Sequence, residues 1–150
     1  MNKAKAWRPH EMPTLLINRL ARALLKPTDE RLREVGISSS QLPVLVALKD
    51  GGKRTQKELA DLANVEQPSM AQLLARMERD KLIVREASST DRRSSLIFLT
   101  DRARQLLEPG RAVLRGIDQD VCAALSKEEK EVLVSLLQRL MVSVTGEGND

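Results

Sequence analysis

Two polar constellations carry the recognisable chemistry of this sequence. The first is Gln67, Ser69 and Gln72, followed by Arg76, which a helix would turn away from the apolar residues interleaved with them. Amide and hydroxyl groups both donate and accept hydrogen bonds, so such a face can read base edges; equally, it can be a plain solvated surface. The second is Asp91-Arg92-Arg93, two guanidinium groups beside one carboxylate. Guanidinium forks match phosphate, and the Asp91 carboxylate could hold an Arg in place through a bidentate pair. Neither set makes or breaks covalent bonds. With one His, one Cys, no glycine-rich phosphate loop and no paired carboxylates, the chain lacks a nucleophile and a general base, and no enzyme is expected. His10 and Cys122 do not form a zinc-ligand set, and no cofactor or metal is expected.

The elements that must position these residues follow from periodicity and capping. Thr55 with Glu58 has the form of a capping box and starts a short helix bearing Leu59, Leu62 and Ala63. Gln56 then lies in its first turn. Asn64, which tolerates a left-handed backbone, supplies a tight turn. Pro68 suits the first turn of a second helix, whose apolar stripe is Met70, Leu73, Leu74 and Met77. Leu82–Arg85 and Leu96–Leu99 read as a hairpin whose connecting loop holds Asp91, Arg92 and Arg93. Two strands alone are marginal in water, so the hairpin must lean on the helices. Helix, turn, helix and basic hairpin, in that order, predict a winged helix-turn-helix over residues 38–100, with double-stranded DNA as the first partner to consider.

The flanks read as amphipathic helix. Residues 1–13 form an irregular arm, and residues 14–35 form one kinked helix or two short ones around Pro27, with Leu16, Leu20, Ala23 and Leu24 at helical spacing. Ser38 and Gln41 start a helix with the apolar face Leu42, Leu45, Val46 and Leu48. After Thr100-Asp101 a further helix should kink or break at Pro109-Gly110. Ser126 and Glu129 cap a last helix carrying Leu133, Leu136, Leu137, Leu140, Met141 and Val144 at near-heptad spacing. The tail from Gly146 is expected to be disordered. Residues 1–37 together with 101–146 are therefore a helical frame, either for dimerisation or for capping a monomer.

Composition narrows the partners. The net charge of +4 permits nucleic acid without demanding it. One Trp, one Phe and no Tyr leave no stacking platform for single strands. Cys122 has no partner for an internal disulfide, no apolar run approaches the roughly 18 residues of a membrane span, and no signal core follows the basic start. A cytoplasmic protein is expected.

Residues 55–100 resemble the MarR family of bacterial transcription regulators, particularly its SlyA-like members. The likeness rests on Gln67-Pro68-Ser69, Leu82-Ile83-Val84-Arg85, Asp91-Arg92-Arg93 and Phe98-Leu99-Thr100, and more weakly on Ile37–Leu48. It implies a homodimeric repressor-type regulator that binds a pseudo-palindromic operator. Arg93 would lie near the minor groove, with Asp91 as its salt-bridging acid. The resemblance also implies interlocking first and last helices, and a small aromatic or phenolic effector, for which Trp7, Arg8, His10, Met12 and Arg19 are the candidate residues. A winged helix used only for protein contact is the alternative. Cys122, outside the helix where relatives place sensing cysteines, is expected to be a buried inert thiol. One departure is Lys81, where the family usually has Gly. A Lys there must take an unusual backbone conformation or shift the turn.

Overall fold

A computed structural model describes residues 7–146 of the chain. Residues 1–6 of the expected arm and 147–150 of the expected tail lie outside this range. Two compact units are distinguished, Met1–Val113 and Leu114–Asp150.

In the first unit a 3₁₀ turn, Pro9–Glu11, precedes α1 (Pro13–Glu34). Pro13 opens this helix at N1, where a missing N–H costs nothing. Pro27 does not divide it. The proline is exposed, so its ring meets solvent, and the helix is anchored further on by Leu32, which is fully buried. The second helix also differs from expectation. The Ser38–Gln41 capping box is present, but it opens a 3₁₀ turn (Ser39–Gln41), and α2 is only Leu42–Ala47. The tighter turn shifts the phase, so Val44 is buried beside Leu45 and Leu48 while Val46 faces outward.

The helices α3 (Gln56–Ala63) and α4 (Gln67–Arg79) follow as predicted. Thr55 Oγ1 accepts the Glu58 N–H at 3.2 Å and Glu58 returns a carboxylate to the Thr55 N–H at 2.7 Å. Met70, Leu73, Leu74 and Met77 are all buried, which fixes the rotation of α4. The strands β1 (Ile83–Ala87) and β2 (Ser95–Leu99) pair antiparallel, Ile83 opposite Leu99 and Arg85 opposite Ile97. They extend further toward the loop than the apolar runs suggested. Arg54, just before α3, adds an isolated antiparallel bridge to Ile97, with N···O distances of 3.0 and 2.7 Å. That bridge gives the hairpin a third partner and ties it to the start of the helix-turn-helix.

Helix α5 (Asp101–Val121) runs through Pro109-Gly110 without a break, contrary to expectation. Pro109 is exposed and costs one donor, while Gly110 is buried where a Cβ would come within 2.8 Å of Ile37 Cδ1. The glycine is thus a packing residue rather than a helix stop. The core gathers Leu32, Ile37, Leu45, Leu59, Leu74, Ile97 and Ala103, with Leu106, Leu107 and Val113 against it.

The second unit holds the end of α5, a 3₁₀ turn at Cys122–Ala124, and α6 (Lys127–Thr145). Ser126 and Glu129 make the predicted box, and Gly146 closes α6 in the left-handed region. Asp118 receives the Lys130 ammonium, which holds that lysine above its ordinary value. Cys122 is half-buried rather than buried, with Asp118 Oδ1 at 4.0 Å from its sulfur. Helix α6 buries none of its residues.

Asp29 of α1 anchors the next turn. Its Oδ1 accepts both the backbone N–H and the hydroxyl of Ser39 at 3.0 Å, and Oδ2 faces Arg33 Nε at 2.7 Å. The Ser39 hydrogen bonds, with a smaller contribution from Arg33, lower the carboxyl below its ordinary 3.8. A lowered carboxyl contributes stability that is complete above 3.8 and lost as pH falls through the folded value. Asp29→Asn should therefore lower the urea midpoint at pH 7 and differ less from the parent at pH 3. An equal gap at both pH values would show that ionisation of Asp29 does not matter.

Candidate nucleic-acid interface

The geometry starts with how α4 is held at each end. At its N-terminus, Gln56 Nε2 reaches the Gln67 carbonyl at 3.5 Å, a long contact between the first turns of α3 and α4. Unlike α3 and α6, α4 has no side-chain cap. The turn before it is closed by Asn64 at φ 52°, with Val65 N–H bonded to the Ala60 carbonyl at 3.0 Å and Asn64 N–H to Asp61 at 3.1 Å. This pair of bonds is a Schellman motif, which satisfies the last carbonyls of α3.

The same motif ends α4, and it resolves the conformation of Lys81. Lys81 takes the left-handed backbone at φ 60°. Its N–H bonds to Glu78 at 3.0 Å, and Leu82 N–H bonds to Met77 at 2.9 Å. The Thr100 hydroxyl donates to the Lys81 carbonyl at 2.8 Å and accepts the Ala103 N–H at 3.1 Å. So the turn is not shifted; a lysine bears the strain that glycine would avoid. Lys81→Gly should raise unfolding stability by about 0.5–1 kcal/mol, the left-handed strain less the added freedom of the unfolded chain. A denaturant titration showing a loss would mean that the lysine side chain contributes more than its backbone costs.

With α4 pinned, Gln67, Pro68, Ser69, Gln72 and Arg76 are all exposed. Thr55 and Gln56 are half-buried because both serve the α3 start. The hairpin is fastened to α4 by Arg85 Nε to Glu78 Oε2 at 3.0 Å. Lys53 adds an ion pair to Glu86 at 2.5 Å and lies 5.0 Å from the Phe98 ring centroid. Sequence reading missed Lys53, Arg54 and Arg85 as supports, since single-residue bridges and cross-element ion pairs leave no periodicity.

The loop between the strands is ordered by its own small side chains. Ser88 Oγ accepts the Thr90 and Asp91 N–H groups at 3.3 Å, and Ser88 N–H bonds to the Ser94 carbonyl. Asp91 does not hold a guanidinium in this geometry; its Oδ1 accepts the Arg93 backbone N–H at 2.9 Å. The reason is local: a carboxylate two residues before an N–H closes an Asx turn without ordering a long side chain. Arg92 and Arg93 are exposed and have no ion-pair partner among the described residues.

The remaining candidates lie elsewhere. Trp7 is 78% exposed, Arg8 pairs with Glu11 at 3.0 Å and His10 lies 3.9 Å from the same carboxylate. Met12 and Arg19 are exposed. Leu16 and Leu20 of α1, and Leu133, Leu136, Leu137, Leu140 and Val144 of α6, are exposed; Leu24 is half-buried. No helix among the described residues is long and apolar enough to cross a membrane.

A capped helix, a left-handed turn, a second helix with a polar outer face and a hairpin with a basic loop define a winged helix-turn-helix. Residues 35–94 match the model of the MarR family. The chain is 30% identical over 125 residues to the HTH-type transcriptional regulator YwoH of Bacillus subtilis (strain 168), an alignment covering 83% of this chain and 90% of YwoH. A probable transcriptional regulator from Pseudomonas aeruginosa superposes with TM-score 0.80 at 27% identity, covering 89% of this chain and 99% of that one. MepR of S. aureus, in a DNA complex, superposes with TM-score 0.76 at 26% identity, over 89% and 98% of the two chains. The chain belongs to the MarR family and is a transcriptional regulator of that family.

Proposed function

We propose that the protein is a homodimeric, sequence-specific regulator that binds double-stranded DNA, and that it acts as a repressor released by a small-molecule effector. The observation that carries this reading is the pairing of two polar surfaces on one compact unit. One is the outer face of α4, with Gln67, Pro68, Ser69, Gln72 and Arg76 exposed; the other is the loop with Arg92 and Arg93 exposed. In this reading the N-terminal half of α4 enters the major groove, where Gln67, Ser69 and Gln72 meet base edges. Arg76 meets the backbone, and Thr55 and Gln56 meet phosphate from the start of α3. The loop reaches the adjacent minor groove, whose negative potential favours Arg93. The DNA complex of MepR supports the same partner for this chain.

The oligomeric part rests on exposed apolar area. Leu16 and Leu20 on α1 and Leu133, Leu136, Leu137, Leu140 and Val144 on α6 face solvent in the single chain. A monomer rarely leaves so much apolar surface uncovered. A second copy covers these positions, with residues 38–100 as the DNA lobe and 1–37 with 101–146 as the dimerisation region. The two recognition helices then read half-sites about 34–36 Å apart. For the effector, Trp7, Arg8, His10, Met12 and Arg19 offer an aromatic wall and positive charge to a small aromatic or phenolic acid. The protein would act in the cytoplasm.

Selection of bound duplexes from a random pool tests this reading. Enrichment of one pseudo-palindromic sequence with half-sites a helical turn apart is expected. A pool that stays random through repeated rounds would contradict it.

A further inference from the structure

Within the first unit a cleft of about 390 Å³ opens beside the end of α4, and Gln41, Arg79, Asp80, Lys81 and Arg102 are among the residues that line it. The volume lies in the range of small-ligand sites. Three of these side chains are cationic and one is anionic. Arg79, Lys81 and Arg102 have no ion-pair partner among the described residues. Arg79 and Lys81 sit at the C-terminal end of α4, where the helix dipole favours a cation. That account fails for Arg102, which lies in the first turn of α5, where the dipole disfavours positive charge. Three exposed cations and one carboxylate leave the cleft with a surplus of positive charge, which attracts anions.

A neutral donor belongs to the same cleft. Gln41 is 8% exposed, and its Oε1 accepts the Ser38 N–H at 3.0 Å. Its Nε2 has no hydrogen-bond partner among the described residues. No buried side-chain nitrogen or oxygen among the described residues lacks a partner, so this nitrogen reaches the open cleft, where it can donate to an acceptor.

We infer that this cleft binds a small oxyanion, phosphate or carboxylate. The guanidinium groups of Arg79 and Arg102 and the Lys81 ammonium supply charge, and Gln41 Nε2 supplies a directed hydrogen bond. Asp80 opposes the ligand and limits its affinity. One bound anion would bridge the end of α4, the turn into β1 and the start of α5. The site stands on its own geometry, so its failure and the failure of DNA binding are separate results.

The test is a titration of the full chain with inorganic phosphate and, separately, with benzoate, followed by amide and Gln side-chain resonances in NMR spectra. Chloride at matched ionic strength is the reference. Saturable shifts of the Leu82 amide and the Gln41 side-chain amide are expected with at least one oxyanion, and the tighter of the two names the class. Arg79→Gln with Arg102→Gln should weaken that binding at least tenfold. Lys127→Gln, on α6, should leave it unchanged. Asp80→Asn should tighten it severalfold, a gain that misfolding cannot imitate. A response equal to that of chloride, no saturation with either oxyanion, or undiminished binding in the double variant would overturn the inference. A cleft that served only phosphates of duplex DNA would give that negative result with the free anions.

Discussion

Replacing Leu136 and Leu140 with Lys is expected to yield monomers in sedimentation and to abolish tight binding to operator DNA. Both leucines are exposed in the single chain, at 47% and 46%, on a helix that buries none of its residues. The row of exposed leucines and valines on α6 is an apolar surface of the size that a partner helix would cover. Each leucine is already about half covered, so burying the rest contributes about 0.7–1.5 kcal/mol, and a symmetric interface counts every substitution twice. The loss is then about 3–6 kcal/mol before the cost of burying lysine charge, enough to raise the dissociation constant by about 10²–10⁴. A monomer would present one α4 to one half-site, so operator affinity should fall when dimerisation is lost. A persisting dimer would place the interface on another surface.

The second large effect is expected from Arg93→Ala. Asp91 fixes the Arg93 backbone through its N–H rather than gripping the guanidinium. The loop therefore presents a preordered backbone with an extendable cation, suited to a groove whose depth varies with sequence. Removing that cation should weaken binding to all duplexes by about 1–3 kcal/mol, with little change in which sequence is preferred. Asp91→Ala should have a milder effect, because it frees the loop but leaves the Arg93 cation in place and removes a carboxylate that repels phosphate. Equal affinity of parent and Arg93→Ala would take the hairpin loop out of the mechanism.

How much of this was legible in the sequence follows from how local each signal is. The boxes at Thr55–Glu58 and Ser126–Glu129 depend on a three-residue spacing and could be read directly. The Met70, Leu73, Leu74 and Met77 stripe was equally plain, because one helix face faces one core. Pro27 and Pro109 misled for the opposite reason. Their local penalty is visible in sequence, while the tertiary packing that offsets it, such as Gly110 against Ile37, is not. The Arg54–Ile97 bridge joins residues far apart and leaves no pattern. Asp91 beside two arginines suggested an ion pair from composition, whereas backbone geometry gave the shorter-range solution. The cationic cleft was unreadable for the same reason as the bridge: Gln41, Arg79, Lys81 and Arg102 come from separate stretches. Lys81 was the instructive case, since the sequence posed the choice between strain and a shifted turn, and φ 60° decides it.

The most direct measurement of the central claim is the salt dependence of affinity for a selected duplex. Neutralising phosphates releases counterions, so log K should fall linearly with log salt, by about 0.9 for each contact. A two-lobed dimer using Arg76, Arg92 and Arg93 should show a steep slope, reduced in Arg93→Ala. An affinity that does not change with salt, or no shift of any duplex, would contradict DNA recognition by α4 and the basic loop.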